Sequence, residues 1–228
     1  PNADFDDITT NAIINYINNG GNILWFNMLS TQKQELPNVN KILAMYGVKP
    51  FEPGVINETD SAKRMSTASS IIIPDVSYST ITKNISNPLL VNATKINFVS
   101  DDELANMNVT KTVLLQASET SFFRTNFSIS SNSKQEGEEE GPFVVGAEMQ
   151  KQITAANEET GEKEKVSKLV IYGENAIISD YTLTSSSSTP IIFYPDNKNI
   201  AMDSIAYLVD REVDIVIRND TNTVSYTA

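Results

Sequence analysis

Glu136-Gly-Glu-Glu-Glu-Gly141 is the densest group of chemically able side chains in the sequence. Clustered carboxylates suit a hard cation such as Ca²⁺, but the spaced D-x-[DN]-x-[DN]-G pattern of a calcium loop is absent. A charge run of this kind reads as a solvated acidic loop. Asp196-Asn-Lys-Asn199 puts a lysine where a metal ligand would be wanted and no glycine follows, so it reads as a helix cap. Gly173-Glu174-Asn175 turns the chain after a buried apolar run, yet it lacks the G-x-G-x-x-G of a dinucleotide site. A glutamate there would occupy the place of a phosphate at a helix start and repel it. Ser118, Thr120 and Ser121 end a second apolar run. A serine nucleophile among them would need a base, and none of the three has a lysine three positions on.

Composition narrows the chemistry further. The chain has neither histidine nor cysteine, which excludes a Ser-His-Asp triad, a Cys-His pair and the usual zinc sites. Carboxylate, lysine, serine or tyrosine chemistry is left. No cofactor and no metal are expected. A net charge of −12 without a basic stripe argues against nucleic-acid and anionic-lipid partners. No apolar run approaches the length of a membrane span. The sequons at Asn57, Asn84, Asn92, Asn108, Asn126 and Asn219 would matter only in a secreted eukaryotic chain.

These groups need elements to hold them. Leu169-Val-Ile-Tyr172 is apolar without alternation, as expected of a strand covered on both faces, the setting of a parallel sheet in an α/β domain. Ala176, Ile177 and Ile178 then read as the start of a helix. Ligands of open α/β sheets sit outside the carboxyl ends of such strands. Gly173, Glu174 and Asn175, with Ser118, therefore mark the rim of a predicted crevice. The plainer reading is that a glycine after a buried strand only turns a corner.

The remaining pattern is similar. Phe5, Ile8, Ala12, Ile13, Tyr16 and Ile17 recur at helical spacing behind Asp4 as N-cap, and Gly20-Gly21 stops that helix. Ile23–Leu29 is a second apolar run, so helix and strand form half of a βαβ unit whose first strand would precede Pro1. A helix is predicted over 37–46, a strand at Ile71–Ile73, a short helix over 79–85, and strands at Lys95–Val99 and Thr112–Ala117. Phe143 to Met149 alternates like a half-exposed strand, and 157–165 reads as a hairpin turn. A helix from about Lys198 to Asp210 would bury Ala201, Ile205, Leu208 and Val209. Val213–Arg218 and a polar tail from Asn219 close the chain. The expectation is one domain over 1–228: a three-layer, Rossmann-like α/β fold with a mostly parallel sheet and an added antiparallel hairpin. Its sheet would centre on Leu169–Tyr172, Ile23–Met28 and Ile71–Ile73.

Six segments in order resemble the GldG-like (gliding-motility-type) auxiliary proteins of ABC transporters. They include Asn15-Tyr-Ile-Asn-Asn-Gly-Gly-Asn-Ile-Leu-Trp25, Leu36-Pro-Asn-Val-Asn-Lys-Ile-Leu-Ala-Met-Tyr-Gly-Val48, Gly141-Pro-Phe-Val-Val-Gly-Ala147 and Asn199-Ile-Ala-Met-Asp-Ser-Ile-Ala-Tyr-Leu208. The resemblance implies an extracytoplasmic domain akin to class I amidotransferase folds, tethered to the membrane and partnered with permease subunits. It carries no catalytic residues to transfer, implies an accessory role and leaves the ligand unsettled; a small molecule or a glycan is the ligand class considered for this chain. Two other readings stand beside it. A cell-surface glycan-binding module would need exposed rings, for which Phe122, Phe123, Tyr78 and Tyr181 are the candidates, Trp25 lying in a buried-looking run. A carboxylate-based hydrolase would need two facing acids in a cleft.

Overall fold

A computed structural model of the chain describes residues 3–65, 68–156, 161, 164–183, 189–194 and 196–209. The predicted strand at Val213–Arg218, the polar tail, the Asn219 sequon and most of the 157–165 turn lie outside the described residues. In chain order the elements are α1 (Asp7–Asn18), β1 (Ile23–Phe26), α2 (Pro37–Ala44), β2 (Val55–Glu58), β3 (Ile71–Ile72), β4 (Asp75–Val76) and β5 (Leu90–Val91). Then follow α3 (Asp101–Asn106), β6 (Val109–Ala117), β7 (Ser121–Arg124), β8 (Glu139–Glu140), β9 (Phe143–Thr154), β10 (Lys165–Tyr172) and α4 (Asn197–Leu208).

The main sheet has the order β1-β10-β9-β6-β4. Among the described strands only β1 and β10 pair in parallel, Ile23 opposite Leu169 through Phe26 opposite Tyr172. The β10–β9, β9–β6 and β6–β4 pairs are all antiparallel. The expected mostly parallel, Rossmann-like sheet is therefore corrected to a mixed sheet with small antiparallel sheets beside it, in a mostly β architecture. The physical reason lies in the cue itself. Leu169 and Ile171 point into one apolar cluster with Ile17, Ile42, Leu43 and Leu104. Val170 and Tyr172 point into another with Leu114, Ile177 and Ile200. An unbroken apolar run reports cover on both faces, and such cover does not fix strand direction. All four side chains are fully buried, worth roughly 1.5–3 kcal/mol each.

Ile71–Ile73 does not join that sheet. β3 pairs with β5 in a separate two-stranded ladder, cut short where Pro74 withholds an amide. β2, β7 and β8 make a third small sheet. The segment 79–85 is a chain of turns rather than a helix, with the Ser79 hydroxyl accepting from the Ile81 and Thr82 amides and the Thr82 carbonyl from the Ile85 amide. Lys95–Val99 contributes one bridge, Phe98 to Val48, rather than a strand. β9 is buried through Phe143–Met149 apart from a half-buried Val144, since it packs into both apolar clusters, Phe143 and Val145 into one and Ala147 and Met149 into the other. Ala176–Ile178 is a single 3₁₀ turn.

Two acids do unexpected work at helix ends. Asp6, not Asp4, caps α1 by accepting from the Thr9 amide. Asp4 reaches across to accept from Asn38 and Val39, both at 2.9 Å, and so caps α2. α4 buries Ile200, Ala201, Ser204 and Leu208, leaving Ile205 and Val209 exposed. The Tyr172 hydroxyl meets the Ser204 hydroxyl at 2.8 Å and locks α4 against β10.

Candidate functional site

The parallel pair β1/β10 ends at a crevice, and the sequence-predicted rim residues fall in different places around it. Gly173 directly follows β10 but does not line the crevice. Its carbonyl accepts from the Thr94 amide at 2.9 Å, and a Cβ on it would stand 2.1 Å from the Thr94 carbonyl oxygen. Close approach of two backbones requires glycine here.

Glu174 is buried beneath the crevice rather than on its rim. Burial pushes its carboxyl up to about 8, against the opposing pull of the Ala176, Ile177 and Val91 amides. The Ile177 amide donates at 2.9 Å. One side chain thus ties β5, through Val91, to the turn that follows β10. Glu174 does not form the surface charge at a helix start that the sequence suggested.

Asn175 does line the crevice. It shares a cavity of about 450 Å³ with Met28, Leu29, Ser70, Asn92 and Tyr181. A second chamber of about 270 Å³ continues from it, sharing Leu29, Ala68, Ser70 and Asn92, and reaches Asn57 and Arg124. Asn92 holds a left-handed backbone, φ 56°, with its amide donating to the Ser70 carbonyl at 2.9 Å. An asparagine tolerates that conformation better than most residues. In the sequence Asn92 stood out only as a sequon, because its place depends on the β3–β5 pairing 20 residues away in the chain.

Ser118 is not brought to this crevice. Its hydroxyl donates to the buried Glu58 carboxylate, as does Thr120 at 2.6 Å, and the Asp60 amide adds a third donor at 2.8 Å. The third buried acid, Glu148, accepts from Gln150 at 2.7 Å and from the Tyr207 hydroxyl. Each of these carboxylates is occupied by local donors.

The acidic loop is largely neutralised in place. Arg124 donates from Nε to Glu138 at 2.6 Å, with further bonds to the Ser131 and Ser133 carbonyls. Lys95, buried beside the Phe123 ring, pairs with Glu139 and with Glu52 at 3.2 Å. Lys134 pairs with Glu140. The solvated-loop reading of Glu136–Glu140 is thereby refined: three of its acids are anchored, and among the described residues no acid cluster has the geometry of a metal site. Asp196 and Asn197 do not cap α4 as expected. Asp196 accepts from Ser86 and Asn87, and Asn197 bonds Leu89 through both its amide and carbonyl, so the pair staples the 86–89 loop.

Of the ring candidates, Phe122 and Phe123 are buried, whereas Tyr78 and Tyr181 are largely exposed. A larger hollow of about 560 Å³ lies at the amino end of β10. It mixes Asp101, Lys111 and Glu164, and Lys111 is already paired with Asp101 at 2.8 Å.

No protein-family model matches the chain, and no curated protein matches it. Among solved structures it is similar to one described as the mmIFT52 N-terminal domain, with a TM-score of 0.55 and 13% identity. The match covers 93% of this chain and 75% of that one. At that identity the likeness concerns the fold alone.

Proposed function

We propose that the chain is a non-catalytic binding domain, the extracytoplasmic accessory part of an ABC-type transport system, working through the crevice at the carboxyl ends of β1 and β10. The observation that carries the binding half of this reading is the disposition of the acids. Glu174 and Glu58 each spend both oxygens on backbone amides or hydroxyls, and Glu148 accepts on one oxygen from Gln150 and the Tyr207 hydroxyl, while the crevice walls offer amide, hydroxyl and aliphatic groups. A carboxylate-based hydrolase needs two acids free to face a substrate, which this arrangement does not favour. The transport half rests on the sequence resemblance. Docking of the domain on a permease subunit, or on a ligand it handles, would bias the transporter only if the two transporter states bind it differently.

The test is photo-crosslinking in the native host from a probe placed at Asn175 and, separately, at Glu136. Crosslinks from Asn175 to a polytopic permease subunit are the expected result. Crosslinks to no membrane protein from either position would refute the accessory role.

A further inference from the structure

We infer that the crevice binds an uncharged glycan, held between the side-chain amides of Asn92 and Asn175 with the Tyr181 ring as a stacking face. The inference rests on the reading of this crevice as the binding face, and gives it a ligand class. In a chain of net charge −12, none of the described residues that line the first chamber is charged at neutral pH. The second chamber includes Arg124, whose donors are spent on Glu138, Ser131 and Ser133. Among the described lining residues an anionic ligand finds no available cation, and a cationic one finds no available carboxylate. A purely apolar ligand would strip water from both asparagines and return no hydrogen bonds, which is costly. A neutral ligand rich in donors and acceptors is what two primary amides and a hydroxyl can satisfy, since each amide both donates and accepts.

The geometry favours preorganisation. Asn92 directly follows Val91, and Asn175 directly precedes Ala176; the amides of Val91 and Ala176 both bond the Glu174 carboxyl. One buried side chain therefore fixes the separation of the two asparagines across the crevice. Polar groups held in advance lose less entropy on binding. The left-handed backbone of Asn92 and its bond to the Ser70 carbonyl hold the second wall. Tyr181, largely exposed, presents a ring for the C–H face of a sugar. At about 450 and 270 Å³ the two chambers together fall within the size of small-ligand sites, roughly 300–1,000 Å³.

The test uses the purified chain with cellohexaose, maltohexaose and chitohexaose as neutral probes and tetragalacturonate as the anionic one, followed by titration calorimetry and amide chemical shifts. At least one neutral probe is expected to bind and to shift the amides of Asn92, Asn175 and Tyr181, with tetragalacturonate inert. Tyr181→Ala and Asn92→Gly are each expected to weaken it by about tenfold. Glycine suits the left-handed backbone, so Asn92→Gly removes the amide without straining the wall. Unchanged melting temperatures show that both variants fold. Failure of every neutral probe to bind, or binding untouched by both substitutions, overturns the inference. Permease crosslinks from Asn175 without glycan binding would overturn it while leaving the accessory role standing. Glycan binding sensitive to both variants, with no crosslinks to a membrane protein, would uphold it and remove the accessory role.

Discussion

Replacing Glu174 by glutamine should remove a large part of the pH dependence of folding. The carboxyl sits near 4.5 in an unfolded chain and burial pushes it to about 8 in the fold. Between those values the folded state holds a proton that the unfolded state has released. Stability from this group is therefore fully present below about pH 4.5 and is lost as pH rises through about 8. The slope is about 1.4 kcal/mol per pH unit, and the whole window amounts to roughly 5 kcal/mol. Glutamine does not titrate, so the stability difference, wild type minus Glu174→Gln, should fall by that slope from about pH 5 to 8 and level off above. Urea denaturation followed by fluorescence of Trp25, the sole tryptophan, measures it at each pH. Groups that titrate alike in both proteins cancel in the difference. A difference that stays flat from pH 5 to 8 would refute the buried, raised carboxyl.

Other substitutions probe the same framework. Gly173→Ala drives a methyl to 2.1 Å from the Thr94 carbonyl oxygen and should cost about 1–3 kcal/mol in chemical denaturation, with loss of protection at the Thr94 amide in hydrogen exchange. Glu138→Ala strands a buried Arg124 guanidinium and should cost roughly 3–5 kcal/mol, with faster proteolysis within 128–138 as the second readout. Asn197→Ala leaves the Leu89 amide and the Leu89 and Ile191 carbonyls without their partner; a drop of about 2–4 kcal/mol by urea titration is expected. An effect below about 0.5 kcal/mol in any of the three would mean that the neighbouring backbone rearranges to recover the lost contact.

What the sequence made legible follows from range. The burial of Leu169–Tyr172, the α2 helix behind Pro37 and the turn at Gly173 are local or depend on one periodicity, and each can be read from its own residues. Strand direction was not local. The same apolar run serves a parallel neighbour on one side and an antiparallel one on the other. The phase of α4 was missed because the helix is apolar around most of its circumference, so Ile205 and Val209 were read onto the inner face with Ala201 and Leu208, and the buried Ile200 was not. Glu174 looked like a surface charge because the Val91 amide that helps to hold it comes from far along the chain. Ser118 was assigned to the crevice as a strand-end hydroxyl, but Thr120 beside it and the Glu58 carboxylate, 60 positions away in the chain, claimed it.

The seam between β1 and β10 has a consequence for synthesis. Gly21 and Ser167, at its entrance, are 146 positions apart in the chain. During translation Ile23-Leu-Trp-Phe26 emerges 146 positions ahead of the residues it pairs with, Ile23 opposite Leu169. Closing so long a loop is entropically slow, whereas the β9–β10 hairpin can zip as soon as it is made. Through that interval the four apolar residues form an unpaired segment, the kind of surface that chaperones shield and aggregates recruit. The crevice takes its walls from Met28 just past one side of the seam and Asn175 just past the other. A chain stalled or cleaved before β10 could have no such crevice, so capacity to bind there would arrive only once the chain through Ile191 is made.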